Sequence, residues 1–357
     1  MEDEIRQALE KYHAVGASVA VVKDNRLVYT KAFGYNPDYC DSTLRKPIQE
    51  DGVFVIQSIS KTFISTAIMQ LVEKRKLKLD DDVNQYLPFT VRNPYYPDIP
   101  ITIRMLLGHR STINDKQYGW TFSQINPRTG KKWRECYNDY MPGAKFSYCN
   151  FNYNLLGAII EGVTGERFFD YIDEHIMMPL GMHASFNLTR IDSTRLVRAL
   201  VYDRNEKRFK KDSSPIYSPL YYRNRLDNYE LGSTTACFSP SGGVKTSVSD
   251  LAKYMMMHMN YGELDGKKIL DKESELKLWK PLSTDTTYAL GFFHNRSVLK
   301  GEEVIGVRGS AHGVHSAMYF SPEKKFGIVV LCNGCTSDRP MKDTIAWILY
   351  KNLIKED

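Results

Sequence analysis

The chain has 357 residues, 42% hydrophobic and 25% charged, with a formal net charge of +6. That balance excludes an intrinsically disordered chain, and the length suffices for two packed regions. Charge is spread along the sequence, and the local basic cluster at residues 207–211 lies in a polar stretch that reads as a solvated loop, so nucleic acid is not an expected partner.

The opening thirteen residues are polar with helical spacing, which is not a signal-peptide pattern. The compartment is left open; the expectation leans to an exported protein whose leader is absent from this chain. Residues 17–22 and 27–33 read as β-rich runs joined by Lys23-Asp24-Asn25-Arg26, a hairpin at the edge of an antiparallel sheet. The middle is mostly helical: segments 62–74, 102–109, 152–164, 167–177 and 249–259 carry apolar residues at three-to-four spacing. Strand signals return at 288–293, 303–307, 314–320 and 326–332, and 341–354 makes a closing helix. The longest clean apolar run, 326–332, is strand-sized and falls far short of the roughly 18 residues of a membrane span. Strands that bracket a helical middle predict an α+β fold, one antiparallel sheet built from both ends and flanked by helices, with an all-α region inserted. Residues 1–60 with 243–357 would form the sheet domain and 61–242 the mostly helical one, with the active site at their junction.

Six cysteines at irregular positions match neither a zinc pattern nor a disulfide framework, and Cys332-Asn333-Gly334-Cys335 at a strand end reads as structural. No His-Glu-x-x-His occurs, and His312 with His315 is too little for a metal site, so neither metal nor cofactor is expected. Gly-x-Ser-x-Gly is also missing, which leaves a Ser-His-Asp hydrolase without its anchor.

Ser-x-x-Lys occurs at Ser58/Lys61 and again at Ser274/Lys277 and Ser321/Lys324, and context separates these. Ser274 sits in a charged run expected on a water-exposed helix face, and Ser321 precedes Pro322 in turn chemistry between strands. Ser58 instead follows apolar Phe54-Val55-Ile56 and precedes the apolar helix from Phe63, so the pair falls at a buried helix start. One helical turn brings the Ser58 and Lys61 side chains to one face, where a buried amine can exchange a proton with the hydroxyl and the free N–H groups of the helix start can hold an oxyanion. Tyr-x-Asn occurs three times. Tyr222/Asn224 falls in a polar loop and Tyr350/Asn352 at a frayed end, whereas Tyr148/Asn150 follows Pro142-Gly143 and leads into a long apolar helix, a rigid mounting for a catalytic side chain.

With these segments in order, the chain resembles the serine β-lactamase-related hydrolases: class C β-lactamases, D,D-peptidases of the penicillin-binding type and their esterase relatives. The nucleophile segment at 54–63, Leu106-Leu107-Gly108-His109-Arg110-Ser111, the run from Pro142 to Gly165, Pro179-Leu180-Gly181-Met182, the 241–247 segment with Asp250, and Tyr288-Ala289-Leu290-Gly291-Phe292 carry the resemblance almost end to end. It implies Ser58 as nucleophile, Lys61 and Tyr148 as the proton-transfer pair, and Asn150 as a hydrogen-bond partner of substrate or lysine. The expected activity is acyl transfer from an amide or ester of a small molecule or peptide.

One motif departs from the family pattern. Where family members carry Lys-Thr-Gly or His-Thr-Gly on the strand lining the site, this chain reads Val307-Arg308-Gly309. Gly309 preserves close approach of the strand, and the backbone N–H of Ser310 can pair with that of Ser58 as an oxyanion hole. Loss of the cation or imidazole predicts weak β-lactam turnover, with Arg308 and His312 as possible substitutes, and leaves a binding or sensor protein on the same fold as the alternative. Loops 114–140 and 185–231 hold Tyr118, Trp120, Trp133, Tyr217, Tyr221 and Tyr222, which form either an aromatic rim or their own packing. Neither substrate nor oligomeric state is legible.

Overall fold

A computed structural model describes residues 1–36, 46–284, 286–336 and 338–355. Helix α1 (Glu2–Lys11) leads into β1 (Gly16–Lys23) and β2 (Arg26–Asn36). Asp24 and Asn25, both at positive φ, make the tight turn between them, the conformation Asp and Asn tolerate best among residues with a side chain. A short β3 (Lys46–Pro47) edges β2. The C-terminal part supplies β4 (Phe293–Leu299), β5 (Glu302–Ala311), β6 (Val314–Ser321) and β7 (Phe326–Cys332). The seven form one antiparallel sheet in the order β4-β5-β6-β7-β1-β2-β3, so β1 and β7, from opposite ends of the chain, are central neighbours with Val19 opposite Val330.

Both faces of the centre are covered, which is why β1 and β7 are apolar throughout instead of alternating. Val19, Val21, Ile328 and Val330 pack with Ile5 of α1 and with Ile345 and Leu349 of the last helix, Asp338–Leu353. Ala20, Val22, Val329 and Leu331 face the larger core, where the helical middle sits. That middle holds α2 (Ser60–Glu73), α3 (Ile103–Leu107), α4 (Asn150–Thr164) and α5 (Val248–Met259). Ser60 through Leu71 are all buried, so α2 is enclosed on every side and central. Residues 272–279 form α6 (Lys272–Trp279), and Asp338–Leu353 is α7. Among the described residues, no helix is long and apolar enough to cross a membrane.

Several expectations are corrected. The strand foreseen at 288–293 begins only at Phe293, because Gly291 turns the chain at φ 101° and a Cβ there would meet Ser65 Oγ at 2.6 Å; the preceding apolar residues plug the core as a turn. The basic stretch at 207–211 is not simply a loop: Arg208–Lys211 pairs as a strand with Leu200–Asp203, and Lys210 meets Asp203 and Glu206. Ser274 is buried, not on the surface; α6 turns it inward with Glu275 and Leu278 while Lys277 stays outside on Glu273. Tyr222 lies fully buried on a helix, Pro219–Leu226, and accepts from Lys245 Nζ at 2.6 Å. Tyr350 is likewise no frayed end, being buried against Phe326.

Candidate active site

The buried pair Phe54–Val55 leads into a tight 3-10 turn, Gln57–Ile59, that runs straight into α2. Gln57 adopts a left-handed φ of 50°, and its side-chain amide donates to Ala311 O at 3.2 Å, tying the turn to β5. Ser58 therefore stands on a constrained corner, one turn ahead of Lys61. Lys61 is 1% exposed, and its Nζ donates to Ser58 Oγ (3.0 Å), Asn150 Oδ1 (2.9 Å) and Ser241 O (2.6 Å). Three oxygen atoms thus surround the Lys61 nitrogen and hold it in one place. Tyr148 Oη donates to Ser58 Oγ at 2.8 Å from the other side. The structure thus brings Ser58, Lys61, Tyr148 and Asn150 into one network.

Two residues whose roles went unassigned in sequence hold that network in place. Asp115 caps α4, accepting from the backbone N–H of Asn150 (2.9 Å) and Phe151 (3.0 Å). It also accepts from Asn150 Nδ2 at 2.9 Å, which turns the amide so that its oxygen faces Lys61. His109 lies buried beneath the Tyr148 ring, 4.3 Å between centroids. Its Nδ1 accepts from Cys149 N at 3.2 Å, so in the neutral ring the proton sits on Nε2, 3.2 Å from Tyr288 Oη. Burial, and secondarily the nearby Lys61, hold its pKa well below 6.5, so the ring stays neutral. Backbone bonds from Ser147 N to His109 O and from Gly143 N to Arg110 O, each 2.8 Å, fasten the Tyr148 loop to the end of α3.

Strand β5 closes the cleft. A Cβ on Gly309 would lie 2.4 Å from both Ile56 O and Ser316 Oγ, so only glycine lets the strand lie against the Ser58 turn. The cleft, about 430 Å³, is lined by Ser58, Lys61, Tyr148, Tyr288, Val307 and Lys342 among others.

A family model described as Beta-lactamase matches residues 1–351. The chain belongs to the beta-lactamase family. Protein flp of Staphylococcus aureus strain MW2 is 29% identical over 336 residues, which is 92% of this chain and 61% of that protein, so the chain spans about three fifths of such relatives. The N-acetylmuramyl-L-alanine amidase of Bacillus subtilis strain 168 is 26% identical, covering 79% of this chain and 67% of that one. Among solved structures, the octameric penicillin-binding protein homologue from Pyrococcus abyssi superposes with a TM-score of 0.76 at 26% identity, covering 98% of this chain and 76% of that one.

Against the beta-lactamase family pattern, Val307 stands buried where a lysine or histidine was expected. The two substitutes named from sequence are engaged elsewhere. Arg308 borders the cleft, but its guanidinium pairs with Asp343 of α7 (2.9 Å) and bonds Tyr319. His312 is an exposed turn residue at φ 50°, with its ring 3.7 Å from Asp212, and does not line the cleft. Ser310 borders the cleft, and its hydroxyl meets His315 Nδ1 at 3.0 Å. A cation does border this strand, from the closing helix and not from the strand itself: Lys342 of α7 is 1% exposed and donates to Gly309 O at 3.2 Å. Its only sequence signal is a lysine in the first turns of the closing helix.

The six loop aromatics do not line the Ser58 cleft and pack within their own loops and against neighbouring rings. Tyr217 and Tyr222 are buried, Tyr221 Oη donates to Cys237 O, and Trp133 meets Tyr137 edge-on. Tyr118 alone approaches the network, 3.3 Å from Ser241 Oγ. Cys332 and Cys335 are buried free thiols. Among the described residues, Glu166, Glu174 and His175 bring three ligand-type atoms within 4.8 Å of one another, a mostly exposed group that does not line the Ser58 cleft.

Proposed function

We propose that the chain is a serine hydrolase that passes the acyl group of an amide or ester through Ser58. The observation that carries this reading is the placement of Ser58 Oγ between Lys61 Nζ at 3.0 Å and Tyr148 Oη at 2.8 Å. A serine hydroxyl is a weak nucleophile until a neighbouring base removes its proton, and here two proton-transfer groups touch it from opposite sides. Ser58 Oγ attacks the carbonyl carbon as its proton passes to the Lys61/Tyr148 pair, which enters the step one proton short, as amine with phenol or ammonium with phenolate; the pair then gives that proton to the leaving amine or alcohol as the bond to it breaks. Water then attacks the acyl-enzyme by the reverse path and frees Ser58. The pair shares the proton, so the base is assigned to both residues jointly. The N–H groups of Ser58 and Ser310 are the oxyanion donors in this scheme, supported by the close fit of Gly309 against the Ser58 turn.

Family membership and the amidase among the relatives support a hydrolase of this fold. Val307 favours a restriction: with no lysine or histidine at that position, carboxylate-bearing β-lactams lose a partner, and nitrocefin turnover is expected near background while small activated esters are cleaved. A fluorophosphonate probe tests the reading. It should label the wild type, Ser274→Ala and Ser321→Ala but not Ser58→Ala, and labelling that survives in Ser58→Ala would overturn it. The same Val307 change favours one second reading, a binding or sensor protein, whose signature is a stable Ser58 adduct with no released product.

A further inference from the structure

The loop that follows α2 reads Lys74-Arg75-Lys76-Leu77-Lys78, a second basic cluster beside the one at 207–211. It forms one wall of a groove of about 780 Å³, and α6 with the segment after it forms the other. Five cationic side chains line the groove, Arg75, Lys78, Arg104, Lys277 and Lys280, and no acidic residue does. Arg104 is answered by Asp80 (2.7 Å) and Lys277 by Glu273 (2.8 Å), both from outside the lining, while Asp81 is taken by Lys78 N and Tyr86 Oη. Arg75, Lys78 and Lys280 are exposed and make no ion pair among the described residues. The floor is apolar: Val72, Pro281 and Leu282 are half-buried there, over the buried Leu77 and Leu79. The groove lies at the C-terminal end of α2, about 20 Å along the helix from Ser58.

We propose that this groove docks an acidic peptide segment that carries large apolar side chains. Two features of the groove select that chemistry. Uncompensated cations on both walls attract carboxylates and speed encounter, and a floor of leucine and proline is desolvated only by an apolar anchor. A bare phosphate polymer answers the walls but leaves the floor wet. A membrane surface is too flat to reach a floor set between two walls. The occupant is an acidic segment of a protein partner, and the proposal does not depend on the chemistry at Ser58.

The test uses the intact chain and fluorescein-labelled octapeptides in an anisotropy titration. A peptide alternating glutamate and leucine should bind, with affinity falling as salt rises, and its glutamate–serine counterpart should bind about tenfold more weakly or worse. Arg75→Glu/Lys78→Glu/Lys280→Glu should weaken binding at least about tenfold, whereas Lys131→Glu/Arg204→Glu/Lys207→Glu, with the same change in net charge, should move it less than about twofold. The milder Arg75→Gln/Lys78→Gln/Lys280→Gln should flatten the salt dependence, and thermal unfolding checks that each variant is folded. Equal loss in both charge-reversed variants would show attraction by net charge alone and overturn the site. Equal binding of the serine peptide, displacement by polyphosphate at lower concentration than by the leucine peptide, or preferential capture by phosphatidylglycerol vesicles would overturn the choice of occupant.

Discussion

Ser58 Oγ is approached by an amine that is almost wholly buried and a phenol that is 44% exposed. The two differ in access but share one atom, and that sharing has a measurable consequence. If Lys61 and Tyr148 move one proton between them, Lys61→Ala and Tyr148→Phe should each lower the acylation rate by about three orders of magnitude, with the double variant losing little more than the worse single. Stopped-flow acylation by an activated ester reads this directly, and full additivity of the two losses would mean the residues act separately. Lys61 was legible in the sequence because Ser-x-x-Lys falls where apolar runs converge. Lys342 was not, since nothing in a lone lysine near the start of a helix says that the helix will set it against Gly309 O.

At the scale of elements, the site is made by how the α4 start, the α3 end and the Ser58 turn are pinned to one another. Cys149, the N-cap of α4, makes no side-chain cap bond, and Asp115 supplies the missing acceptor from a loop 34 or more residues earlier. Asp115→Ala should therefore cost about 1–2 kcal/mol in urea unfolding, the usual size of a lost helix cap. It should also slow acylation by about ten- to a hundredfold, because Asn150 loses the contact that orients its oxygen toward Lys61. Asp115→Asn, which keeps one acceptor, should fall between. A purely structural role would show as the stability loss without the acylation loss. Local pattern located α2 and α4 correctly because both are long and strongly apolar. It failed at 288–293, where aromatic residues resemble a strand but Gly291 turns the chain against Ser65 and Tyr153, and at 200–211, where four-residue strands are too short to show a period.

Across the whole molecule, folding buries titratable groups that water would otherwise charge, and His109 is the clearest case. Its folded pKa lies well below 6.5, chiefly through burial, so below pH 6.5 the unfolded chain takes up a proton that the folded chain refuses. The stabilising contribution is present above pH 6.5 and is lost as pH falls toward the folded value. Between pH 7.5 and 5.5 stability should therefore fall, and His109→Gln should show a flatter drop in its urea midpoints over that range. An unchanged slope in that variant would mean that His109 is not the group responsible. The sequence by itself determined the antiparallel sheet built from both ends, the helical middle, the family resemblance and the Ser58, Lys61 and Tyr148 positions, because periodicity and short motifs are local and survive without coordinates. Only the tertiary structure decided that Arg308 spends its charge on Asp343, that His312 stays outside the cleft, that Lys342 borders β5 and that Asp115 and His109 brace the network. Those outcomes depend on contacts between residues tens to hundreds of positions apart, and no local pattern encodes which distant partner a buried charge will meet.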